Sequence, residues 1–321
     1  LRNASAGSSC QAVREGHTRL TCLLRQGEYR RESVFEVSFD RREITIAQTG
    51  VPAGPRPGRF EGPGTNAMNI SLANDFRHAL DRGELSPAFQ PVRRLSDGTI
   101  AGAEALMRWT HAEHGRIESA EFIPVSERTG SIHAPGAWML EQALSALTGW
   151  RKQSAGRSMF VAVNLSVVQL SRSDIATQCT GILNAHGIAP ECLHLEVTET
   201  APLDHPAAEE GIRALGAAGF RLAMDDFGAG FSSFTHLHRL PFDTLKIDRS
   251  FVGGLDDSRR SRAIVANVVR LAHDLDMTVV AEGVETEWQL RFLRDAGCDL
   301  GQGYLLGPPA AAADLARELG G

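Results

Sequence analysis

The chain has 321 residues, of which 42% are hydrophobic and 22% are charged, and its formal net charge is −6. This composition excludes wholesale disorder, and a negative chain without a long run of Lys or Arg lacks a general surface for DNA or RNA. The length suits one large domain with an appendage, or two domains.

Scattered cysteines and the absence of long apolar runs limit the cellular context. The cysteines form no CxxC pair and are Cys10, Cys22, Cys179, Cys192 and Cys298. This pattern argues against a structural zinc site or a disulfide framework and fits a reducing compartment. No run approaches the ~18 apolar residues of a transmembrane helix, and no signal peptide is visible. We therefore expect a cytoplasmic location, at the inner membrane face if a longer chain carries a membrane segment.

The first 64 residues are predicted to be separate from the rest. Leu20–Leu24 and Ser33–Ile46 alternate partly with period 2, which predicts a short β-meander. The segment Gly50–Gly64 is dense in Pro and Gly and predicts a linker. We accordingly place the main domain at residues 65–321.

The main domain begins with a helix near Ser71 and then an antiparallel hairpin. Ala88–Leu95 and Thr99–Trp109 predict two strands joined by a Ser-Asp-Gly turn. Two helices follow, near Ser119–Thr129 and Gly136–Gln153.

Strands and helices then alternate to the C terminus. The predicted strands are Met159–Asn164, Leu193–Thr198, Arg221–Asp226, Thr244–Asp248, Thr278–Glu282 and Leu300–Gly303. The predicted helices lie near Ser173–His186, Pro206–Ala218, Ser232–Leu237, Arg259–Asp274, Glu287–Asp295 and Ala311–Leu319, and the apolar stripe of the longest consists of Ile264, Val268, Leu271 and Leu275. About eight mostly apolar strands in roughly 250 residues favour a (β/α)₈ barrel with one antiparallel strand. The alternative is an open doubly wound sheet, but its usual glycine-rich phosphate loop is not found.

Polar residues at the strand ends predict a site at the mouth of this barrel. They are Asn164, Glu196, Asp225, Asp226, Lys246, Asp248, Glu282 and Gln302, and the hairpin adds Glu104 and Arg108. Carboxylate and amide oxygens without Cys or His are ligands typical of Mg²⁺ or Mn²⁺. Several carboxylates carry enough charge for two cations, which about 3.5–4 Å apart serve phosphoester cleavage.

Two adjacent carboxylates, Asp225 and Asp226, end an apolar strand and precede Gly228 and Gly230. Neighbouring side chains of a strand point to opposite faces, but at its last residue the chain can turn, so that both reach one site. Crowded carboxylates repel unless a proton or a cation lies between them. On local grounds alone, a solvated turn is the alternative.

The two basic residues of the set have chemical and structural interpretations. Lys246 is suited to bind a phosphate oxygen, or to hold or deprotonate an attacking water, and the alternative is a buried salt bridge to Asp248. Arg108 is suited to bind phosphate through its fork of donors, and the alternative is a pair with Glu104.

Eight ordered motifs run from about residue 71 to the C terminus. They are QPV at Gln90–Val92, EALMRW at Glu104–Trp109, VNLS at Val163–Ser166, EVTET at Glu196–Thr200, DDFGAGFSS at Asp225–Ser233, LKID at Leu245–Asp248, AEGVET at Ala281–Thr286 and GQGYLLGPP at Gly301–Pro309. In this combination the chain resembles the EAL-type cyclic di-GMP phosphodiesterases. The loop has Ala229 and Phe231 where that family often has Thr and Tyr, so two hydroxyls are missing.

The resemblance implies a (β/α)₈-like barrel with one antiparallel strand. It also implies hydrolysis of cyclic di-GMP to linear 5′-pGpG in bacterial second-messenger signalling, two Mg²⁺ or Mn²⁺ ions, inhibition by Ca²⁺ and a homodimer. The implied metal ligands are Glu104, Asn164, Glu196, Asp225, Asp226 and Glu282. Lys246, Glu282 and Asp226 would be catalytic, Gln90, Arg108 and Gln302 would bind substrate, and Glu199, Asp248 and Glu285 would support the loop and the ligands.

Two other functions on the same fold remain as alternatives. One is a non-catalytic cyclic di-GMP receptor, and the other is a barrel hydrolase for a different phosphoester. Non-catalytic members of the family usually lack a ligand acid or the lysine, whereas this chain has all of them, which favours the enzyme.

Overall fold

The structure is a computed structural model that describes the strands within residues 10–48 and then residues 72–153, 158–199, 203, 205–228 and 233–320. The chain divides into two compact units, Leu1–Gly64 and Thr65–Gly321. The predicted linker Gly50–Gly64 lies outside the described residues. Within them, no helix is both long and apolar enough to cross a membrane.

The first unit contains an antiparallel sheet of four strands. They are β1 (Cys10–Glu15), β2 (His17–Gln26), β3 (Tyr29–Asp40) and β4 (Glu43–Gln48), paired in chain order. The predicted segment Leu20–Leu24 lies in β2, and Ser33–Ile46 covers most of β3 and β4. Pairing in chain order makes this sheet a meander.

The second unit starts with helix α1 (residues 72–79) and the strands β5 (Leu85–Arg94) and β6 (Ile100–His111). β5 and β6 pair antiparallel, as the predicted hairpin requires. A short strand that the sequence did not predict, β7 (Gly115–Ile117), adds antiparallel to β6.

Parallel strands and covering helices make up the rest. The strands are β8 (Phe160–Asn164), β9 (Leu193–Thr198), β10 (Arg221–Phe227), β11 (Thr244–Ile247), β12 (Thr278–Ala281) and β13 (Leu300–Gly301). The helices are α2 (Ser119–Thr129), α3 (His133–Gln153), α4 (Val167–Leu170), α5 (Ile175–His186), α6 (Pro206–Ala217), α7 (Ser233–Arg239), α8 (Arg249–Gly253), α9 (Arg259–Asp274), α10 (Glu287–Asp295) and α11 (Ala312–Gly320).

The strands close into a barrel of eight. Its order is β5-β6-β8-β9-β10-β11-β12-β13, and β13 pairs back to β5. Both pairings of β5 are antiparallel, whereas the other neighbours within the barrel are parallel. The predicted (β/α)₈ barrel with one antiparallel strand is therefore confirmed.

The helix α9 is amphipathic, but its buried row differs from the predicted stripe. The buried side chains are Val265, Val269 and Ala272, whereas Ile264, Val268 and Leu271 are half-buried and Leu275 is 45% exposed. Two apolar rows, one residue out of step, share the helical period. Spacing alone could not decide which of them packs on the sheet.

Candidate functional site

A lysine lies at the centre of the predicted acidic cluster. The Lys246 side chain is 2% exposed, and its Nζ lies 2.7 Å from Glu282 Oε1, 2.8 Å from Glu196 Oε2, 3.2 Å from Asp225 Oδ1 and 3.6 Å from Glu104 Oε2. The lysine and three of the acids lie in the C-terminal half of β9, β10 and β11 or directly after β12, and Glu104 lies on β6. The alternative interpretation of Lys246, a salt bridge to Asp248, is wrong because its partners are these four carboxylates.

A bulge in β10 brings both adjacent carboxylates to the same side. The register with β11 shifts between Met224 and Phe227, so Asp225 and Asp226 together lie opposite Lys246. Asp226 has a φ of 56°, a left-handed conformation that Asp adopts more readily than most residues. The bulge therefore lies just before the last residue of β10, Phe227, and it brings both carboxylates to one site, whereas the sequence predicted a turn at the strand end.

One group of acids has the spacing of a cation site. Oxygens of Asp225, Asp226 and Glu282 all lie within 4.8 Å of one another. Carboxylate oxygens are hard ligands, which Mg²⁺ and Mn²⁺ prefer, and these three are close enough to bind one ion together.

A second group surrounds Glu104, which is 6% exposed. Its two carboxylate oxygens accept hydrogen bonds from Asn164 Nδ2 at 2.8 Å and from Gln302 Nε2 at 2.7 Å. Asn164 is itself exposed at the barrel mouth. With Glu196 and Asp225 around the same lysine, the predicted first set of ligands is gathered, and Asp225 belongs to both groups.

Crowding changes the proton affinities in the cluster. Burial raises the pKa of Glu196 well above its usual range and that of Glu282 to about 8. Burial and Asp225 raise the pKa of Asp226 to about 6. Burial would lower the pKa of Lys246, but the surrounding carboxylates raise it instead. The lysine therefore stays charged while part of the carboxyl groups keep their protons.

Glu104 behaves differently from its neighbours. Burial alone would raise its pKa, but Lys246, Gln302 and Asn164 together lower it below the usual value. Glu104 is consequently an anion that accepts hydrogen bonds from the amides of Asn164 and Gln302.

Three of the motifs combine a strand-end residue with the start of the next helix. Asn164, Lys246 and Glu282 are each followed within four residues by a helix cap. Ser166 accepts from the N–H of Gln169, Asp248 from that of Ser250, and Thr286 from that of Gln289. Asp248 thus fixes the chain after Lys246. Glu285 is exposed, and its backbone N–H donates to Gln289, outside the cluster.

Glu199 connects the end of β9 to the segment after Asp226. Its Oε2 accepts a hydrogen bond from the N–H of Gly228 at 2.7 Å, and its own N–H donates to the carbonyl of Asp225 at 2.9 Å. Gly228 has a φ of 99°, and a Cβ there would lie 2.5 Å from the ring of Phe251. The substituted loop positions Ala229 and Phe231, and the predicted helix start Ser232, lie outside the described residues.

Arg108 lies half-buried on β6 and donates to the carbonyl of Met107 at 3.4 Å. Burial, then the nearby Arg116, lowers its pKa, against smaller effects of Glu118 and Glu104. The structure therefore gives no support to the alternative of an internal pair between Arg108 and Glu104.

Gln90 is half-buried on β5, and both ends of its amide contact protein groups. Its Nε2 donates to the carbonyl of Gly307 at 3.2 Å, and its Oε1 accepts from Gln302 Nε2 at 2.9 Å. Sequence reasoning gave no role to Gly307, for which the one available signal was a glycine in the last motif. The bulge in β10 had no sequence signal beyond the adjacent acids.

Comparison with known proteins gives consistent matches over the barrel. Residues 73–309 match the sequence profile of a family described as EAL domain. The chain is 40% identical over 247 residues to the bifunctional diguanylate cyclase/cyclic di-GMP phosphodiesterase MucR of Pseudomonas aeruginosa, covering 77% of this chain and 36% of that protein. The chain spans about a third of the length of the first curated relatives it matches, namely 29%, 35% and 36%.

Two solved structures are similar in fold and sequence. The EAL enzyme Bd1971 in its cAMP and cyclic-di-GMP bound form has a TM-score of 0.77 and 30% identity, covering 80% of this chain and 70% of that one. The MucR phosphodiesterase in complex with c-di-GMP has a TM-score of 0.70 and 40% identity, covering 76% of this chain and 99% of that one.

Proposed function

The chain belongs to the EAL domain family, and we propose that it hydrolyses cyclic di-GMP to the linear dinucleotide 5′-pGpG. In this reaction the oxygen of water bonds to one phosphorus, one P–O bond of the ring breaks, and the released sugar oxygen takes up a proton. MucR, whose name includes cyclic di-GMP phosphodiesterase, supports the choice of substrate.

The observation that carries the proposal is the pairing of Lys246 with four carboxylates at the barrel mouth. Burying this many acids is costly, and a fold that needed only stability would bury apolar residues instead. The complete set of acids, the amide of Asn164 and the lysine also favours an enzyme over a receptor.

The residues of the cluster fit divalent cations. Glu104, Asn164, Glu196 and Asp225 would hold one Mg²⁺ or Mn²⁺, and Asp225, Asp226 and Glu282 a second, with Asp225 shared. All donors are oxygens, and those of the second group lie within 4.8 Å of one another. Bound there, the cations would lower the pKa of water and neutralise charge on the phosphate.

The basic residues would handle the substrate anion. Lys246 keeps its proton because carboxylates surround it, so in this state it is a hydrogen-bond donor able to orient water or a phosphate oxygen. Arg108 offers a half-buried guanidinium for a phosphate.

The decisive experiment is incubation of the purified protein with cyclic di-GMP and Mn²⁺, Mg²⁺ or Ca²⁺, followed by chromatography of the products. We expect 5′-pGpG with Mn²⁺ and Mg²⁺ and suppression by Ca²⁺, which is larger and tolerates irregular coordination. No linear dinucleotide with any divalent metal would refute the proposal. Binding by calorimetry without turnover would then support a cyclic di-GMP receptor.

We further propose a homodimer that uses the outer face of α9. A shallow apolar groove there is lined by Arg260, Ala263, Ile264, Asn267, Val268 and Leu271. In an antiparallel pairing of two copies centred on Asn267, residues equally far on either side of it meet. Arg260 and Asp274, each seven residues from Asn267, would then form two symmetric ion pairs flanking the apolar centre.

Charge reversal tests this dimer. Arg260→Asp should shift the protein toward the monomer in sedimentation analysis, and Arg260→Asp with Asp274→Arg should restore the dimer by exchanging the charges. Arg77→Asp on the exposed side of α1 is the matched control and should leave the mass unchanged. A monomeric wild type, or a double variant no better than the single one, would contradict the pairing.

The proposed location is the bacterial cytoplasm. Among the described cysteines, Cys179, Cys192 and Cys298 are buried free thiols, which supports a reducing compartment.

A further inference from the structure

The antiparallel strand β5 carries an amide that connects two sides of the candidate site. Gln90 on β5 lies directly opposite Glu104 on β6, and β13, which leads into Gln302, is the other neighbour of β5. A side chain at position 90 is therefore adjacent both to Glu104 on β6 and to Gln302, which follows β13.

The hydrogen bonds around Gln90 have one direction. At one end the carbonyl of Gly307 can only accept, so the Gln90 amide nitrogen must face it, at 3.2 Å. At the other end the two carboxylate oxygens of Glu104 lie 2.8 Å from Asn164 Nδ2 and 2.7 Å from Gln302 Nε2, so the Gln302 nitrogen faces the carboxylate. The remaining contact, Gln302 Nε2 to Gln90 Oε1 at 2.9 Å, is the one that both constraints allow.

The carbonyl that begins this chain is itself held firmly. Gly307 has a φ of 138°, and a Cβ there would lie 2.5 Å from Pro91 Cγ, so the turn packs on β5 at a position that needs glycine. On the same strand, Arg93 Nε donates to the carbonyl of Leu306 at 2.6 Å. The turn after β13 is therefore fixed to β5 next to Gln90.

The side-chain oxygen of Gln302 takes no part in these hydrogen bonds. Gln302 is 5% exposed, both of its N–H groups are used, and its Oε1 is buried without a hydrogen-bond partner among the described residues. A buried amide oxygen costs free energy until it accepts a hydrogen bond, so this atom is oriented for a donor that a ligand of the site brings, such as a water.

We propose that Gln90 is a positioning residue, not a substrate contact: it fixes the orientation of the Gln302 amide and thereby holds Glu104 in place to bind a divalent cation. The inference rests on the proposed function because Glu104 is assigned there as a ligand. It changes the role of Gln90, which the family resemblance placed at the substrate.

Titration with Mn²⁺ in the absence of nucleotide separates the two roles. Gln90→Met removes the amide that contacts Gln302, and the side chain of Gln90→Asn is too short to reach it. In both variants the Kd for Mn²⁺ should rise about tenfold. The electron paramagnetic resonance of free Mn²⁺ measures this Kd. At saturating Mn²⁺ the KM for cyclic di-GMP should stay within about twofold of wild type. An unchanged Kd with a raised KM would overturn the proposal.

A double-mutant cycle provides the second test. Because Gln90 acts through Gln302, the variant Gln90→Met/Gln302→Met should bind Mn²⁺ no more weakly than Gln302→Met alone. Additive losses would overturn the proposal. Arg94→Gln, on the exposed side of β5, is the control and should bind Mn²⁺ like wild type. Thermal melts identify any variant that has not folded, and Gln90→Asn, which keeps an amide, replaces Gln90→Met in the cycle if needed.

The outcomes distinguish this proposal from the proposed function. If wild type binds Mn²⁺ but does not hydrolyse cyclic di-GMP, while the Gln90 variants bind Mn²⁺ more weakly, the positioning role stands and the enzymatic function fails. If wild type hydrolyses cyclic di-GMP and the variants bind Mn²⁺ equally well, the reverse holds. A wild type that binds no Mn²⁺ would overturn both.

Discussion

The two ends of the barrel are built from the same eight strands, but they bury different chemistry. At the carboxyl end a buried lysine and several carboxylates crowd together. At the amino end, the rings of Phe160 and His194 stack with centroids 3.9 Å apart and planes within 2°. Asp243 there accepts from Arg221 at 2.5 Å and from the N–H of Leu222 at 3.0 Å.

The contrast separates residues that stabilise the fold from residues that make the site. At the amino end, Asp243 accepts hydrogen bonds from two donors, and the rings of Phe160 and His194 stack on each other. A Cβ at Gly102 would lie 2.5 Å from the carbonyl of Phe160, so even the backbones pack closely. At the carboxyl end, several acids surround one lysine, and burial raises the pKa of Glu196 and Glu282 although Lys246 acts in the opposite direction. We therefore expect that the loss of a contact at the amino end leaves function unchanged, whereas substitutions at the carboxyl end affect ligand binding.

The largest expected effect is that of Lys246→Met. We expect turnover of cyclic di-GMP to fall by at least about 1,000-fold, since a buried charge aimed at the reacting groups is removed. The metal-free protein should also lose about 3 kcal/mol of stability because four carboxylates lose their cation. Melts with Mn²⁺ and with EDTA should show that Mn²⁺ raises the Tm of the variant more than that of wild type. Equal shifts in Tm would place the lysine outside the cation site.

At the other end, His194 should affect stability and leave activity unchanged. Burial, with Arg221 nearby, lowers its pKa to about 4. The unfolded chain binds a proton near pH 6.5 while the folded one stays neutral, so stability is full above pH 6.5 and is lost as the pH falls toward 4. The loss between pH 7 and pH 4.5 is about 2 kcal/mol.

The substitution His194→Gln should remove this part of the acid sensitivity in urea titrations at the two pH values. His78→Gln, on the exposed side of α1, is the control, and we expect its loss of stability between the two pH values to equal that of wild type. If His194→Gln lowered turnover at pH 7, the amino end would also contribute to activity, which would contradict the division between the two ends.

The proton content of the cluster predicts how metal binding depends on pH. Glu282, with a pKa of about 8, is protonated at pH 7 in the metal-free protein. A cation must displace that proton, so affinity for Mn²⁺ should rise about tenfold per pH unit up to pH 8. Calorimetry in buffers of different ionisation enthalpy measures the protons released. In Glu282→Gln the slope between pH 7 and pH 8 should flatten, and an unchanged slope would assign the proton to another group.

The smallest expected effect concerns the loop after β10. In Glu199→Ala the N–H of Gly228 loses its carboxylate, so the segment after Asp226 is held less firmly. Activity should fall about fivefold, with stability reduced by about 1 kcal/mol. Glu191→Ala removes an exposed acid just before β9, the strand that Glu199 follows, and is the matched control for kinetics and melts. An unchanged rate in Glu199→Ala would show that the bond has no part in the site.

Much of the site could be predicted from the sequence because parallel strands end at one edge. Glu196, Lys246 and Glu282 each lie at the centre or in the C-terminal half of a predicted parallel strand, and the fold brings such positions together whatever the details of packing. The antiparallel start was also predictable, since a Ser-Asp-Gly turn joins two strands at short range.

What the sequence could not supply depends on neighbours along other strands. The bulge at Asp225 and Asp226 is a property of the register with β11, which no local pattern encodes. The direction of the Gln90 amide follows from a carbonyl 217 residues away. On α9, two apolar rows had the same period, and packing on the sheet selected the one that contains Val265 and Val269.

The bulge in β10 sets a condition for anyone who would transplant this site into an idealised barrel. Regular strands offer one inward side chain per two residues, so a designed scaffold with perfect pairing could present either Asp225 or Asp226 but not both. A one-residue deletion there would make the ladder more regular while turning one acid outward. A designed barrel would therefore have to include the bulge in β10 together with the ligand residues.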